Sequence, residues 1–352
     1  MNNTTEITTQ VTPPPTGKAF LPVIIVTLFI FTATLIAGYI TEQAVKARLS
    51  NFFNRQADQI ANTYYANLYT HVTVLEGLRG LWNTQNSFSR ESFLTYVNSL
   101  SLDTTYKAGI SSFFVISPVE TSQKTAFEQQ IRQEKNLTEP YTSFSINPAS
   151  NLETLYPVTY VEPIKGREAS LGLDFGTFPD RLDAIVYARD NNTLSTTMPL
   201  VFMTTSKPGF FFFLPLYQSG LPIERTVERR AAFAGVVGAA FRIESAFAQI
   251  FGETDPYPYL DFQIYQGEST SPDRLLHDHD ESFTAEDPRF SAIRIVRLKD
   301  QTWTIAVQGK PSLTLGDSEQ RLPLLVFGFG IIMTILIAMY SLYQLSHIPR
   351  TR

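Results

Sequence analysis

The run GFFFFLPLY, Gly209–Tyr217, holds four consecutive phenylalanines. In an extended strand, neighbouring side chains point to opposite faces. Phe211, Phe213 and Pro215 therefore share one face, and Phe210, Phe212 and Leu214 share the other. Both faces are apolar, which predicts a central strand covered on both sides. Its phenylalanines either fill a core or line a pocket.

Further β-rich segments stand around this run, separated by clusters of Pro, Gly and Asn: Ile110–Ile116, Val158–Val161, Met198–Met203 and Val236–Ile243. Between them, Lys124–Glu134 and Pro179–Arg189 carry helical spacing, the second with proline in its first turn. A smaller set follows: Leu260–Tyr265, then Ile293–Leu298 and Thr302–Val307, which alternate as a hairpin. The pattern predicts two successive α+β units.

N-terminal to these units, Phe53, Ala57, Ile60, Tyr64, Leu68, Val72, Leu75, Leu78 and Trp82 recur every three or four residues. This is a long amphipathic stalk. It either packs on its own domain or also forms a homodimer seam, and the two roles are compatible. Ser89-x-x-Ser92 is a poor capping box, yet Ser89, Arg90 and Glu91 ahead of Phe93, Tyr96, Val97 and Leu100 suggest that a helix restarts after a turn.

Two uncharged apolar runs bracket everything described so far. Ala19–Ile40 and Leu322–Tyr343 are each long enough to cross a hydrocarbon core of about 30 Å. A cleaved signal peptide is the competing reading of the first, but its apolar run is too long and no A-x-A-like site follows. Lys18 precedes it, whereas Lys46, Arg48 and Arg55 follow. The arginines of the C-terminal tail favour a cytoplasmic end, and large domains translocate largely regardless of charge, so both termini are expected inside. The expected divisions are residues 1–17 as a disordered cytoplasmic tail, 18–41 as a transmembrane helix, 42–106 as stalk helices, 107–245 and 246–320 as two subdomains, 321–345 as a transmembrane helix and 346–352 as a cytoplasmic tail.

A formal net charge of -5 without a basic stripe argues against a nucleic-acid partner. With no cysteine in the chain, thiol chemistry and thiolate metal sites are excluded. Gly-x-Ser-x-Gly, phosphate-loop and H-E-x-x-H patterns do not occur, and the chain is not expected to be an enzyme. His277-Asp278-His279-Asp280-Glu281 would bind a divalent cation only if a strand turned both rings to one face. A solvated acidic loop is the expectation there, with no metal or cofactor.

The order of several segments resembles the CHASE domain, an extracytoplasmic ligand-sensing module of histidine kinases and nucleotide cyclases that includes the plant cytokinin receptors. The segments are Tyr156-Pro157-Val158 with Tyr160-Val161-Glu162-Pro163, Leu171-Gly172-Leu173-Asp174-Phe175, Asp180-Arg181 leading to Ala188-Arg189-Asp190, and Thr197-Met198-Pro199. The strand ending Leu214-Pro215-Leu216-Tyr217, the Leu221-to-Glu228 insert and Gly235-Val236-Val237-Gly238-Ala239-Ala240-Phe241-Arg242-Ile243-Glu244 continue it. The likeness covers about residues 42–315. It implies an α+β fold: a long stalk helix plus two PAS-like subdomains, membrane-distal then membrane-proximal, flanked by two transmembrane helices, with the ligand pocket in the distal subdomain.

The resemblance also implies site positions. The adenine-binding aspartate of the plant receptors falls on Arg181, a pocket threonine on Phe213, and a backbone contact on Met203, while Phe175 and Val236 hold other lining positions. A carboxylate is thus replaced by a cation. If a cavity remains, Arg181 at its edge would favour an anionic ligand, because a guanidinium offers a forked donor set to carboxylate or phosphate. The alternative is an arginine that is solvated or paired with Asp180 or Asp183. The candidate ligand-binding residues are Phe175, Arg181, Thr197, Met203, Phe211, Phe213 and Val236. The expected function is a two-pass cell-membrane sensor of a small molecule whose output either lies on a partner protein, such as a separate kinase or cyclase, or was lost or never present. The alternative is a structural or adhesive surface protein using the same fold.

Overall fold

A computed structural model describes residues 21–85, 87–100, 109–135, 139–202, 206–251, 255–283 and 290–347. The expected tail at residues 1–17 lies outside them. The chain divides into two compact units, residues 1–53 with 313–352, and residues 54–312. Helix α1, Leu21–Gln85, is one continuous helix whose residues contribute to both.

In the first unit, the N-terminal part of α1 lies against α7, Asp317–His347. Both are long and apolar enough to cross a membrane. Small residues set their contact: a Cβ at Gly330 would lie 2.2 Å from Thr34 Cγ2, and one at Gly38 would lie 2.2 Å from the Phe327 ring. Such close approach replaces the hydrophobic driving force that lipid removes. Arg48 Nη1 meets Glu319 Oε1 at 3.3 Å beyond the apolar segments.

In the second unit, the expected stalk face is buried: Ala57, Ile60, Leu75 and Leu78 are wholly enclosed, with Tyr64, Leu68 and Val72 nearly so. After α1 the chain turns and restarts as α2, Arg90–Ser99. The Ser89/Ser92 capping box, expected to be poor, is complete, because each hydroxyl accepts the other residue's main-chain N–H at 3.1–3.2 Å. Serine reaches as far as this short bridge requires, so the usual glutamate is dispensable.

The following strands are β1 (Ile110–Ile116), β2 (Val119–Glu120), β3 (Thr154–Leu155), β4 (Val158–Glu162), β5 (Ser195–Thr196), β6 (Leu200–Val201), β7 (Pro208–Tyr217) and β8 (Phe233–Arg242). β2 and β3 pair separately, and the rest form an antiparallel sheet in the order β4-β1-β8-β7-β5, with β6 also on β7. With β5 and β6 counted as one interrupted strand, the order within this sheet is 2-1-5-4-3, which is PAS-like. The strand expected at Met198–Met203 is not continuous: β5 and β6 pair with β7 on either side of Pro199, which has no N–H to give. Helices α3 (Lys124–Arg132), α4 (Pro179–Asn191) and α5 (Thr226–Ala232) fill the connections. α4 starts with proline at its first position and stops at Asn192, whose φ of 51° is left-handed.

After α6, Ile243–Phe251, come β9 (Leu260–Gln266), β10 (Leu275–Asp278), β11 (Ser291–Leu298) and β12 (Gln301–Gly309), an antiparallel sheet in the order β10-β9-β12-β11. β11 and β12 form the expected hairpin, closed through Lys299 at φ 54°. Tyr64 of α1 stacks on Phe247 of α6 at 5.8 Å and meets Trp303 of β12 edge-on at 6.1 Å. Phe212 of β7 lies 6.2 Å from the same Trp303. One face of β7 thus packs toward the helix and the second sheet, which leaves Phe211 and Phe213 facing the other way. The fold is α+β, a long helix carrying two PAS-like sheets.

Candidate functional site

Phe211 and Phe213 meet Phe114 of β1 at 5.6 and 5.8 Å between ring centroids, and Phe175 at 5.3 and 6.2 Å. Phe114, Phe175 and Phe211 do not close the space beside them. A cavity of about 50 Å³ remains, lined by Ser111, Ser112, Phe114, Val158, Val161, Arg167, Ser170, Leu173, Phe175, Arg181, Phe202, Phe211 and Ala240. At roughly 10–15 Å³ per water it holds three to five waters' worth of ligand.

Phe175 is placed by Asp174, which is fully buried. Its Oδ1 accepts the main-chain N–H groups of Tyr156 and Gly176 at 2.7 and 2.9 Å, and its Oδ2 accepts that of Ser150 at 2.7 Å. The carboxylate thereby ties three backbone segments together beside the cavity. Gly172 also belongs to this loop, with φ 76° and a Cβ position only 1.9 Å from the Ser145 carbonyl, so the turn admits no side chain.

Arg181 projects from the first turns of α4 and is 5% exposed. Its guanidinium carbon lies 3.8 Å from the Phe178 ring centroid, 4.8 Å from that of Phe175 and 5.3 Å from that of Phe211. It makes no side-chain hydrogen bond or ion pair among the described residues, and its buried Nε has no acceptor. Against the expected alternatives, the side chain is largely withdrawn from solvent and forms no ion pair with Asp180 or Asp183. Each cation–π contact is worth about 0.5–2 kcal/mol, against several kcal/mol for taking the charge out of water. Rings stabilise the charge but accept poorly from the in-plane N–H donors. Burial pulls the Arg181 pKa below its ordinary value, with the Asp180 charge opposing it.

Arg167 supplies a second cation. Its Nε and Nη2 both donate to Ser111 Oγ at 3.2 Å, and Nη1 donates to the carbonyls of Pro163 and Lys165. Burial and the neighbouring Arg242 charge lower its pKa. Ser111, holding two incoming donors, has its own O–H left to give.

Of the residues expected from sequence, Phe175, Arg181 and Phe211 line the cavity. Phe213 and Val236 belong to the apolar cluster behind it. Thr197 is buried but serves β7, its Oγ1 accepting from Phe211 N at 3.1 Å and its N–H donating to Phe211 O. Met203 lies outside the described residues. Sequence reasoning missed Ser111, Ser112, Arg167 and Ser170. Two serines opening an otherwise apolar strand, ISSFFVI, are the signal that could have drawn attention to the first pair.

The His277–Glu281 segment is not wholly the solvated loop expected. His277 and Asp278 belong to β10, paired with Ile264 and Gln263 of β9, and Gln263 Nε2 donates to Asp278 Oδ2. The His277 ring stacks on Phe247 at 4.4 Å, and His279 stacks on Phe262 at 4.4 Å while meeting Asp255 at 2.9 Å. Burial, with the His279 charge adding to it, lowers the His277 pKa to about 4. Among the described residues no group of three or more His, Cys, Asp or Glu is placed to hold a metal ion.

The CHASE domain model matches residues 86–277, more than half of the sequence, and the chain belongs to the CHASE domain family. No curated protein matches it. Similar solved structures include an extracellular ligand binding receptor from Desulfohalobium retbaense, at 9% identity and TM-score 0.43, covering 72% of this chain and 39% of that one. The ligand-binding domain of the Pseudomonas aeruginosa amino acid chemoreceptor PctC in complex with GABA is 12% identical, with TM-score 0.42, covering 74% of this chain and 99% of that one. The ligand-binding domain of the Pseudomonas fluorescens chemoreceptor CtaA in complex with L-leucine is 10% identical, with TM-score 0.44, covering 78% and 100%.

Proposed function

We propose that this protein is a membrane-anchored extracytoplasmic sensor of CHASE type that binds a small molecule in the cavity of the six-stranded sheet. The observation that carries this reading is Arg181, a buried cation that lines a cavity and whose side chain makes no hydrogen bond or ion pair among the described residues. In a purely structural core the cation–π contacts would be set against the cost of burying an unbonded guanidinium, whereas a ligand can complete it.

The same reading places residues 107–245 as the membrane-distal subdomain and 246–320 as the membrane-proximal one, with both termini in the cytoplasm and the chain in the cell membrane. β7 supplies a path outward: Phe211 lines the cavity, and at the strand's end the Tyr217 carbonyl accepts from Trp82 Nε1 of α1. The Tyr217 hydroxyl donates to the Arg189 carbonyl of α4, the helix that carries Arg181. Ligand contact with β7 and α4 would favour one of two settings of α1, whose apolar segment crosses the membrane. A homodimer through the stalk, where Tyr65 and Tyr69 are exposed, and a separate kinase or cyclase complete the proposal.

The test is thermal unfolding of the full chain in lipid nanodiscs against adenine derivatives, organic acids and amino acids, since bound ligand raises stability by mass action. A dose-dependent rise that Ala240→Leu removes supports the sensor. No rise with any compound, or a rise that Ala240→Leu leaves intact, overturns it.

A further inference from the structure

Resting on that cavity being the ligand site, we propose that the ligand is a small monocarboxylate without an ammonium group, its carboxylate held by Arg181 and Arg167. Four observations converge on this class.

The lining contains two arginines and no aspartate or glutamate. Arg181 lines the cavity, is 5% exposed and makes no side-chain hydrogen bond or ion pair among the described residues, so its guanidinium brings positive charge and free donors to the wall. An incoming carboxylate accepts from a guanidinium through two oxygens at once.

An ammonium group would need an acceptor of its own. The buried carboxylates on adjoining segments are already engaged: Asp174 accepts three backbone N–H groups, and Glu162 of β4 pairs with Arg90 at 2.9 Å. An amino acid would therefore bring its positive charge to a cationic wall.

Size limits the ligand further. A cavity of about 50 Å³ corresponds to roughly three to five non-hydrogen atoms, taking about one atom per water-sized volume. Acetate and propionate lie in that range. The Ser111 hydroxyl, which accepts two Arg167 N–H groups and keeps its own proton, is available to donate to a ligand oxygen.

Inorganic phosphate has a similar size and charge but no apolar side. Most of the lining is apolar, including Val158, Val161, Leu173 and Phe202, and would desolvate oxygens without bonding them. A carboxylate with a short hydrocarbon end matches both parts of the wall.

Isothermal titration of the full chain in nanodiscs tests this with four probes: sodium propionate, propionamide, L-alanine and inorganic phosphate. Propionate is expected to bind saturably. The neutral amide, the ammonium-bearing analogue and phosphate are each expected to bind at least roughly tenfold more weakly. Arg181→Gln and, independently, Arg167→Gln are expected to weaken propionate binding by a similar factor, with circular dichroism confirming that each variant is folded. Propionate failing to bind below about 10 mM, any other probe matching it, or folded Arg167→Gln binding it like wild type overturns the monocarboxylate proposal. Ala240→Leu separates the two readings: binding of propionamide or L-alanine that this variant abolishes keeps the cavity as the site and removes only the ligand class. Propionate binding that the variant leaves unchanged removes both.

Discussion

The indole N–H of Trp82 donates to the main-chain carbonyl of Tyr217 at 2.7 Å, fastening the last turn of α1 to the end of β7. Trp82→Phe keeps an aromatic ring and deletes the donor. We expect a loss of about 1–2 kcal/mol in denaturant unfolding, since a half-buried carbonyl is left without its partner. Trp303→Phe leaves Trp82 as the single tryptophan of the chain, and its fluorescence should change on propionate binding if β7 communicates with α1.

Asp174→Ala removes the acceptor of three backbone N–H groups at once. The expected cost is about 3–5 kcal/mol. Asp174→Asn has one oxygen where the aspartate has two, so it should recover only part of that loss. Equal stability of wild type and Asp174→Ala in urea would contradict this role.

His277 makes stability depend on pH. Its native pKa is lowered to about 4 from an ordinary 6.5, so protons favour the unfolded chain. Its contribution is complete above pH 6.5 and is lost as pH falls toward 4, by about 3 kcal/mol in all. His277→Phe should flatten the decline in melting temperature between pH 6.5 and 4.5; an unchanged slope would assign that decline to other groups.

Gly330→Leu places a branched side chain where a Cβ alone already lies 2.2 Å from Thr34 Cγ2. The apolar segments of α1 and α7 should separate. With no native cysteine, thiols introduced at Arg48 and Glu319 report on this cleanly: a short thiol crosslinker should join them several-fold more slowly in the variant, in keeping with the role of small residues at such contacts.

Periodicity made the elements legible. Alternation in Gly209–Tyr217 correctly put apolar groups on both faces of β7, and three-to-four spacing marked the buried face of α1. Phe211 followed from that alternation, whereas Arg181 became visible only through the resemblance to CHASE domains. Arg167 and Ser111 are 56 positions apart, and no local pattern announces that a loop will fold back onto the start of β1. The His277 stack on Phe247 was hidden for the same reason: acidic neighbours read as solvated until β9 and α6 enclose the ring. Ser92 was misjudged by residue type, since the capping geometry requires an acceptor of suitable reach and not glutamate itself.

The single carboxylate of Asp174 also has a kinetic consequence. The amide protons of Ser150, Tyr156 and Gly176 share one acceptor residue, so withdrawal of that side chain exposes all three together. Their exchange with deuterated solvent should be governed by one common opening event, and a ligand resting against Phe175 would slow that event for three segments of chain at once.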